Sequence, residues 1–173
     1  FWAPKFAAQK FALDVGLAGK GVMLWHHLLA FGAILLGGVV TDRFVARMPR
    51  FRLGFQILAL VLGAPMLVWI GLAPSFTAML VAAAAYGVFR GFFEVNTHAS
   101  LFDVIKPRFH ATAAGVMLCC GFVFGSSSSA VLGWMKGHFG LQAGFQSLAL
   151  FYLVGALVIL VARTCFLKKD YEG

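Results

Sequence analysis

The chain consists of long apolar runs separated by short polar turns. Five runs reach the length of about 20 mostly apolar residues that a helix needs to cross the hydrocarbon core of a bilayer. They cover residues 21–41, 51–73, 75–102, 111–135 and 143–167. Each run is continuously apolar rather than alternating, which favours helices over strands. The pattern predicts an all-α transmembrane bundle in which short turns make neighbouring helices antiparallel.

The composition excludes an ordinary soluble domain. The chain is 61% hydrophobic and 12% charged, whereas a soluble domain has about 45–50% apolar and about 25% charged residues. The net charge of +8 comes from basic residues that cluster at the ends of the apolar runs. Membrane topology explains this clustering better than nucleic-acid binding does. We therefore expect the lipid bilayer as a partner, no nucleic acid and no cofactor.

The first twenty residues differ from the five runs. They open with the aromatic and basic segment Phe-Trp-Ala-Pro-Lys-Phe. One interpretation is that residues 1–20 hold the last turns of a helix whose earlier part is missing, followed by an outer loop. The alternative is an interfacial segment with its lysines in water. The start at Phe1, without Met or a signal peptide, favours a cut through a longer protein.

The distribution of basic residues predicts the orientation. Nine of them fall on one side of the predicted bundle: Arg43, Arg47, Arg50, Arg52, Lys106, Arg108, Arg163, Lys168 and Lys169. Four fall on the other side: Lys5, Lys10, Lys20 and Lys136. Since cytoplasmic loops carry the excess of Lys and Arg, we expect the amino end outside and the tail, residues 168–173, in the cytoplasm. The predicted location is a bacterial inner membrane.

The third run carries charged residues within its apolar sequence. A charge at the bilayer centre costs about 2.5–3.5 kcal/mol on insertion scales, so Arg90 should face protein or a water-filled cavity. Glu94 follows four residues later on the same helical face, and Thr97 and His98 continue that stripe. Two further polar residues, Asn96 and Asp103, lie on another face. We expect at least one of the two stripes to line a cavity and count Asn96 among the residues that could bind a substrate or a coupling ion. Arg90 and Glu94 either contact a substrate or coupling ion, or form an ion pair that locks two helices together.

Two other features have competing interpretations. The adjacent His26 and His27 of the first run could relay a proton, bind a substrate directly, or belong to the membrane interface. The fourth run has a small residue at every fourth position, which indicates close helix packing or hydroxyls facing a cavity: Gly121, Gly125, Ser129, Gly133 and Gly137. No catalytic motif and no metal-ligand spacing occurs in the sequence. We therefore expect neither an enzyme nor a metal site.

Two turns resemble those of the major facilitator superfamily. The first family signature reads Gly-x-x-x-Asp-Arg/Lys-x-Gly-Arg/Lys-Arg/Lys, which four residues fit: Gly38, Asp42, Arg43 and Arg47. Val45 and Ala46 depart from the signature. Residues 103–115 are similar to the turn after the fourth helix of a half, Asp-x-x-x-Pro-x-x-x-Arg-Ala-x-Ala-x-Gly. In this second turn His110 stands where Arg is common.

The resemblance implies a fold and an activity. It implies one partial half-domain over residues 1–173, with five complete helices after the end of a sixth. The short tail favours the C-terminal half. A missing N-terminal half would complete a secondary active transporter that works by alternating access. The alternative is a non-transporting membrane scaffold or sensor with the same fold.

The resemblance also assigns roles to residues. The first and fourth helices of a half line the cavity, which places Phe1, Trp2, Arg90, Glu94 and His98 there. Arg90 would suit an anionic solute such as a sugar acid, with a proton or sodium ion as the symported partner. The conformational gate would comprise the residues of both turns: Gly38, Asp42, Arg43, Arg47, Asp103 and Arg108. In it, Asp42 would contact a neighbouring helix end and Arg43 would contact carboxylates.

Overall fold

The computed structural model describes residues 2–48 and 51–166, which are helical almost throughout. The helices are α1 (Trp2–Phe11), α2 (Val15–Val45), α3 (Phe51–Leu72), α4 (Phe76–Val104), α5 (His110–His138) and α6 (Gly140–Val161). A 3₁₀ turn (Pro107–Phe109) precedes α5, and a π-helical turn (Ala162–Phe166) extends α6. The predictions for Phe1, Arg50 and residues 167–173 lie outside the described residues.

Five helices of the described chain, α2 to α6, are long and apolar enough to cross a membrane. Each of the five apolar runs falls on one of them, which confirms the prediction of an all-helical protein with five candidate membrane spans. Much of the outward surface is apolar: Leu36, Val39, Phe122 and Phe124, for example, are 65–74% exposed. Such a surface suits hydrocarbon rather than water.

The first long helix begins earlier than the sequence pattern predicts. α2 begins at Val15, not at residue 21, because the carboxylate of Asp14 accepts a hydrogen bond from the Leu17 amide at 3.0 Å and caps the helix. The prediction of a loop reaching residue 20 was wrong. The amino end is helical and packs with the rest of the bundle, because α1 buries Phe6, Ala7 and Ala8 in its core.

The central helix is α4, which packs against α2 on one side and α3 on the other. α6 packs against α3, and α1 lies against α2. The main core gathers side chains from five helices, including Phe6, Val22, Leu67, Met79 and Phe145. α5 lies at the rim beside α6 and buries only Leu132. The helix that carries the predicted charged stripe, α4, therefore lies between α2 and α3.

The closest helix contact lies between α2 and α4. A Cβ atom on Gly87 would overlap the carbonyl oxygen of His26, and one on Gly91 would overlap that of Ala30. Their hydrogen-only side chains let the two backbones touch. The small-residue stripe of α5 packs only at Gly133 and Ser129, which meet the Trp2 side chain of α1, since a Cβ on Gly121, Gly125 or Gly137 would meet nothing within 4 Å among the described residues. The four-residue spacing occurs on both helices, so spacing alone did not identify the contact.

Candidate functional site

The guanidinium of Arg90 joins two of the predicted site residues. Its Nη1 lies 3.1 Å from Nε2 of His26 on α2, and its Nη2 lies 3.4 Å from Oε2 of Glu94. The side chains of Arg90 and Glu94 are 40% and 50% exposed in the described chain. The ion pair is therefore not sealed in a core, and a ligand can reach both partners.

His26 is held in one orientation by two hydrogen bonds. Its Nδ1 lies 3.2 Å from the carbonyl oxygen of Ala83, which can only accept, while Arg90 can only donate. The proton therefore sits on Nδ1, and Nε2 accepts from Arg90 in a neutral ring. The same ring stacks on Tyr86 with 5.4 Å between centroids. His26 thus positions Arg90, whereas His27 is exposed.

Two cavities meet at Arg90. The Trp2 cavity has a volume of about 370 Å³ and takes lining residues from α1, α2, α3, α4, α5 and α6, among them Trp2, His26, His27, Tyr86 and Arg90. The Glu94 cavity has a volume of about 530 Å³ and is lined by residues that include Arg90, Glu94, Thr97, His98 and Tyr152. One cation therefore faces two spaces large enough for a small solute.

A pair of tyrosines lies beside this junction. The hydroxyls of Tyr86 on α4 and Tyr152 on α6 are hydrogen-bonded to each other. Tyr86 lines the Trp2 cavity and Tyr152 lines the Glu94 cavity. The sequence analysis missed both residues. The spacing of four between Tyr86 and Arg90 could have revealed the first, but nothing in the sequence links Tyr152 to α4.

Four of the five candidate site residues on α4 line one cavity. Arg90, Glu94, Thr97 and His98 share the Glu94 cavity. Asn96 does not belong with them. It is fully buried, its Nδ2 donates to the Phe92 carbonyl at 2.9 Å, and it lines neither cavity. Its place on another face of the helix puts it inside the protein rather than beside a solute.

A second charged cluster connects the ends of three helices. Nη2 of Arg52 donates to Oδ1 of Asp42 at 2.9 Å, and Nε of Arg52 forms an ion pair with Oδ2 of Asp103 at 3.1 Å. The Arg52 side chain is only 14% exposed. Asp42 thus contacts Arg52 rather than a helix end. The sequence analysis counted Arg52 only as a topology signal.

The other predicted gate residues lie around this cluster. Arg43 and Arg47 are exposed, and neither has a carboxylate within 4.0 Å among the described residues, so the expected Arg43–carboxylate contact is not made. A Cβ atom on Gly38 would lie at ordinary contact distance from Val95 of α4. The guanidinium of Arg108 lies 4.6 Å from the ring centre of Phe109. Arg52, not Arg43, is therefore the cation that pairs with the acidic residues here.

No metal centre is found in residues 2–48 and 51–166, where no three His, Cys, Asp or Glu side chains are grouped to hold an ion. Comparisons with protein-family models, with curated proteins and with solved structures find no match to this chain. The family resemblance of the two turns therefore rests on the motif residues themselves.

Proposed function

We propose that this chain forms most of one half of a secondary active transporter of the major facilitator type. With a partner half it would move a small organic anion across a bacterial inner membrane by alternating access. The observation that carries the proposal is Arg90, a cation in the middle of a candidate membrane span that opens onto two cavities.

The surroundings of Arg90 support binding over a purely structural role. A guanidinium has five N–H donors, and Arg90 uses one nitrogen on His26 and another on Glu94. The remaining donors suit a carboxylate, since charge-assisted hydrogen bonds are the stronger class. Arg90 and Glu94 both belong to α4 and lie four residues apart, so their ion pair does not lock two helices together as the structural alternative requires. Glu94 serves as the counter-ion of Arg90 until the solute arrives.

The cluster of Asp42, Arg52 and Asp103 supports a second part of the proposal, a conformational gate at one end of the bundle. Asp42, Arg52 and Asp103 join the ends of α2, α3 and α4, in the turns that resemble the family signatures. On the proposed orientation this cluster faces the cytoplasm. Opening of the gate would separate these helix ends, and Gly38 would let α2 slide along α4. A proton or sodium ion would accompany the solute.

Uptake by the complete transporter tests the proposal. We expect Arg90→Ala to reduce anion uptake to background while the protein still reaches the membrane, because the solute loses its only mid-span cation in the described chain. Lys20→Ala, which removes an exposed cation at the start of α2, should leave uptake unchanged.

Normal uptake by correctly inserted Arg90→Ala would remove Arg90 from the site. If the complete protein takes up no solute from a panel of organic anions, sugars and amino acids, with or without a proton gradient, the scaffold or sensor alternative is favoured instead.

A further inference from the structure

The lining of the Trp2 cavity has a polar and an apolar part. The polar part includes the side chains of Arg90, His26 and His27. The rest is mainly aromatic and aliphatic, with side chains such as Trp2, Ile70, Leu132, Phe145 and Leu148. A ligand that matches this lining has one anionic group and an apolar body.

Several polar groups of the lining are already engaged. The Tyr86 hydroxyl bonds to Tyr152, the Ser128 hydroxyl donates to the Gly125 carbonyl at 2.7 Å, and both ring nitrogens of His26 have partners. Besides Arg90, only two polar side chains of the described lining make no hydrogen bond, those of His27 and Ser129. A polyhydroxylated solute would therefore leave most of its hydroxyls without a partner here, which weakens binding. An apolar body avoids that penalty.

Two lysines bring positive charge close to Trp2, one of the lining residues. The Trp2 indole Nε1 donates to the Ser129 carbonyl at 3.3 Å, which fixes the ring beside α5. The ammonium groups of Lys5 and Lys136 lie 5.4 Å and 5.7 Å from the centre of this ring. This positive charge attracts anions, while the indole provides an apolar surface to the cavity.

We propose that the Trp2 cavity binds a monocarboxylate with an apolar, ring-sized body. The carboxylate contacts Arg90, and the body packs between Trp2 and Phe145. This inference rests on the proposed function and narrows its solute from organic anions in general to apolar monocarboxylates. Sugar acids are then poor ligands, because the cavity matches their charge but not their hydroxyls.

Three ligands test separately whether binding needs a negative charge and whether it needs an apolar body. Radiolabelled phenylacetate carries both the charge and the apolar ring, phenylacetamide has the ring without the charge, and gluconate has the charge on a polar body. Equilibrium binding is measured on the full chain in lipid nanodiscs, with empty nanodiscs as the blank. We expect phenylacetate to bind at least about tenfold more tightly than either of the other two.

One variant tests the polar part of the cavity lining, and a second tests the apolar part. Arg90→Gln should remove the preference for phenylacetate over phenylacetamide. Ala3→Phe fills the cavity from α1 and should weaken phenylacetate binding without changing any charge, so it serves even if Arg90→Gln fails to insert. Lys20→Gln, an exposed cation that does not line this cavity, is the matched control and should bind phenylacetate normally.

Each contrary result has a defined meaning. The inference is overturned if no probe binds, if gluconate or phenylacetamide equals phenylacetate, or if Ala3→Phe binds phenylacetate normally. Gluconate uptake by the complete transporter, without phenylacetate binding, overturns the inference and leaves the transport proposal standing. Selective phenylacetate binding without uptake of any solute supports the inference and contradicts transport.

Discussion

Gly87 and Gly91 set the distance between α2 and α4. Because a Cβ at either position would overlap a backbone carbonyl of α2, neither residue can be enlarged without moving the helices apart. We expect Gly87→Ala and Gly91→Ala each to destabilise the bundle by about 1–3 kcal/mol, the usual effect of overpacking. Thermal unfolding in detergent measures this loss.

Gly32 on α2 provides the matched control. A Cβ there would meet nothing within 4 Å, and Ala favours a helix over Gly by about 1 kcal/mol. Gly32→Ala should therefore be as stable as the original chain or more so. Equal stability of Gly87→Ala and Gly32→Ala would contradict the close contact. Since Gly87 touches the backbone of His26, the same contact also positions Arg90.

At the scale of helices, Arg52 connects three elements. It is the second residue of α3 and pairs with Asp42 near the end of α2 and with Asp103 near the end of α4. The two carboxylates are not equivalent, because the Asp42 side chain is 69% exposed and that of Asp103 is 28% exposed. If Arg52 is removed, water can therefore solvate the Asp42 carboxylate more easily than the Asp103 carboxylate.

We expect Arg52→Gln to be more destabilising than Asp42→Asn. Arg52→Gln breaks both contacts and leaves the less exposed Asp103 unpaired, a loss of about 1–3 kcal/mol. Asp42→Asn breaks only the exposed contact, which is worth about 0–1 kcal/mol. Unfolding of the purified variants gives both values.

The double variant Arg52→Gln/Asp103→Asn tests the cause. It should recover part of the stability lost in Arg52→Gln, because no unpaired carboxylate remains at the end of α4. A larger loss for Asp42→Asn than for Arg52→Gln would show that Asp42, not Arg52, holds the helix ends together.

For the whole molecule, the sequence predicted the features that depend on composition and on the helical period, which are the five long helices and the polar face of α4. Long apolar runs can only satisfy their backbone groups in a bilayer as helices or closed barrels, and all five runs lie on helices. The period of 3.6 also placed Arg90, Glu94, Thr97 and His98 on one face. The beginning of α2 was missed because it depends on one capping side chain, Asp14.

Contacts between distant segments could not be predicted in this way. His26 meets Arg90 across 64 positions of sequence, and the meeting depends on how closely α2 and α4 approach at Gly87. The Tyr86–Tyr152 pair likewise depends on the placement of α6. Arg52 looked like one basic residue among several until the fold brought two carboxylates to it.

The proposed orientation of the bundle leads to a prediction about accessibility. On a background in which Cys119, Cys120 and Cys165 are replaced by Ala, single cysteines are placed at the exposed positions Lys20, Arg47 and Arg108. We expect a membrane-impermeant maleimide to label Lys20→Cys in intact cells. Arg47→Cys and Arg108→Cys should react only after the membrane is permeabilised, because the side richer in Lys and Arg faces the cytoplasm.

The three labelling sites also distinguish an inverted orientation from a helix that does not cross the membrane. Lys20 and Arg47 flank the candidate span of α2, so they lie on opposite sides in either orientation if α2 crosses the membrane. Arg47 and Arg108 are separated by α3 and α4, so they share a side if both of these helices cross. A fully inverted labelling pattern would contradict the cytoplasmic placement of the Arg52 cluster while preserving five spans. Labelling of Lys20→Cys and Arg47→Cys from the same side would show that α2 does not cross the membrane, and the site around Arg90 would then not be a passage through it.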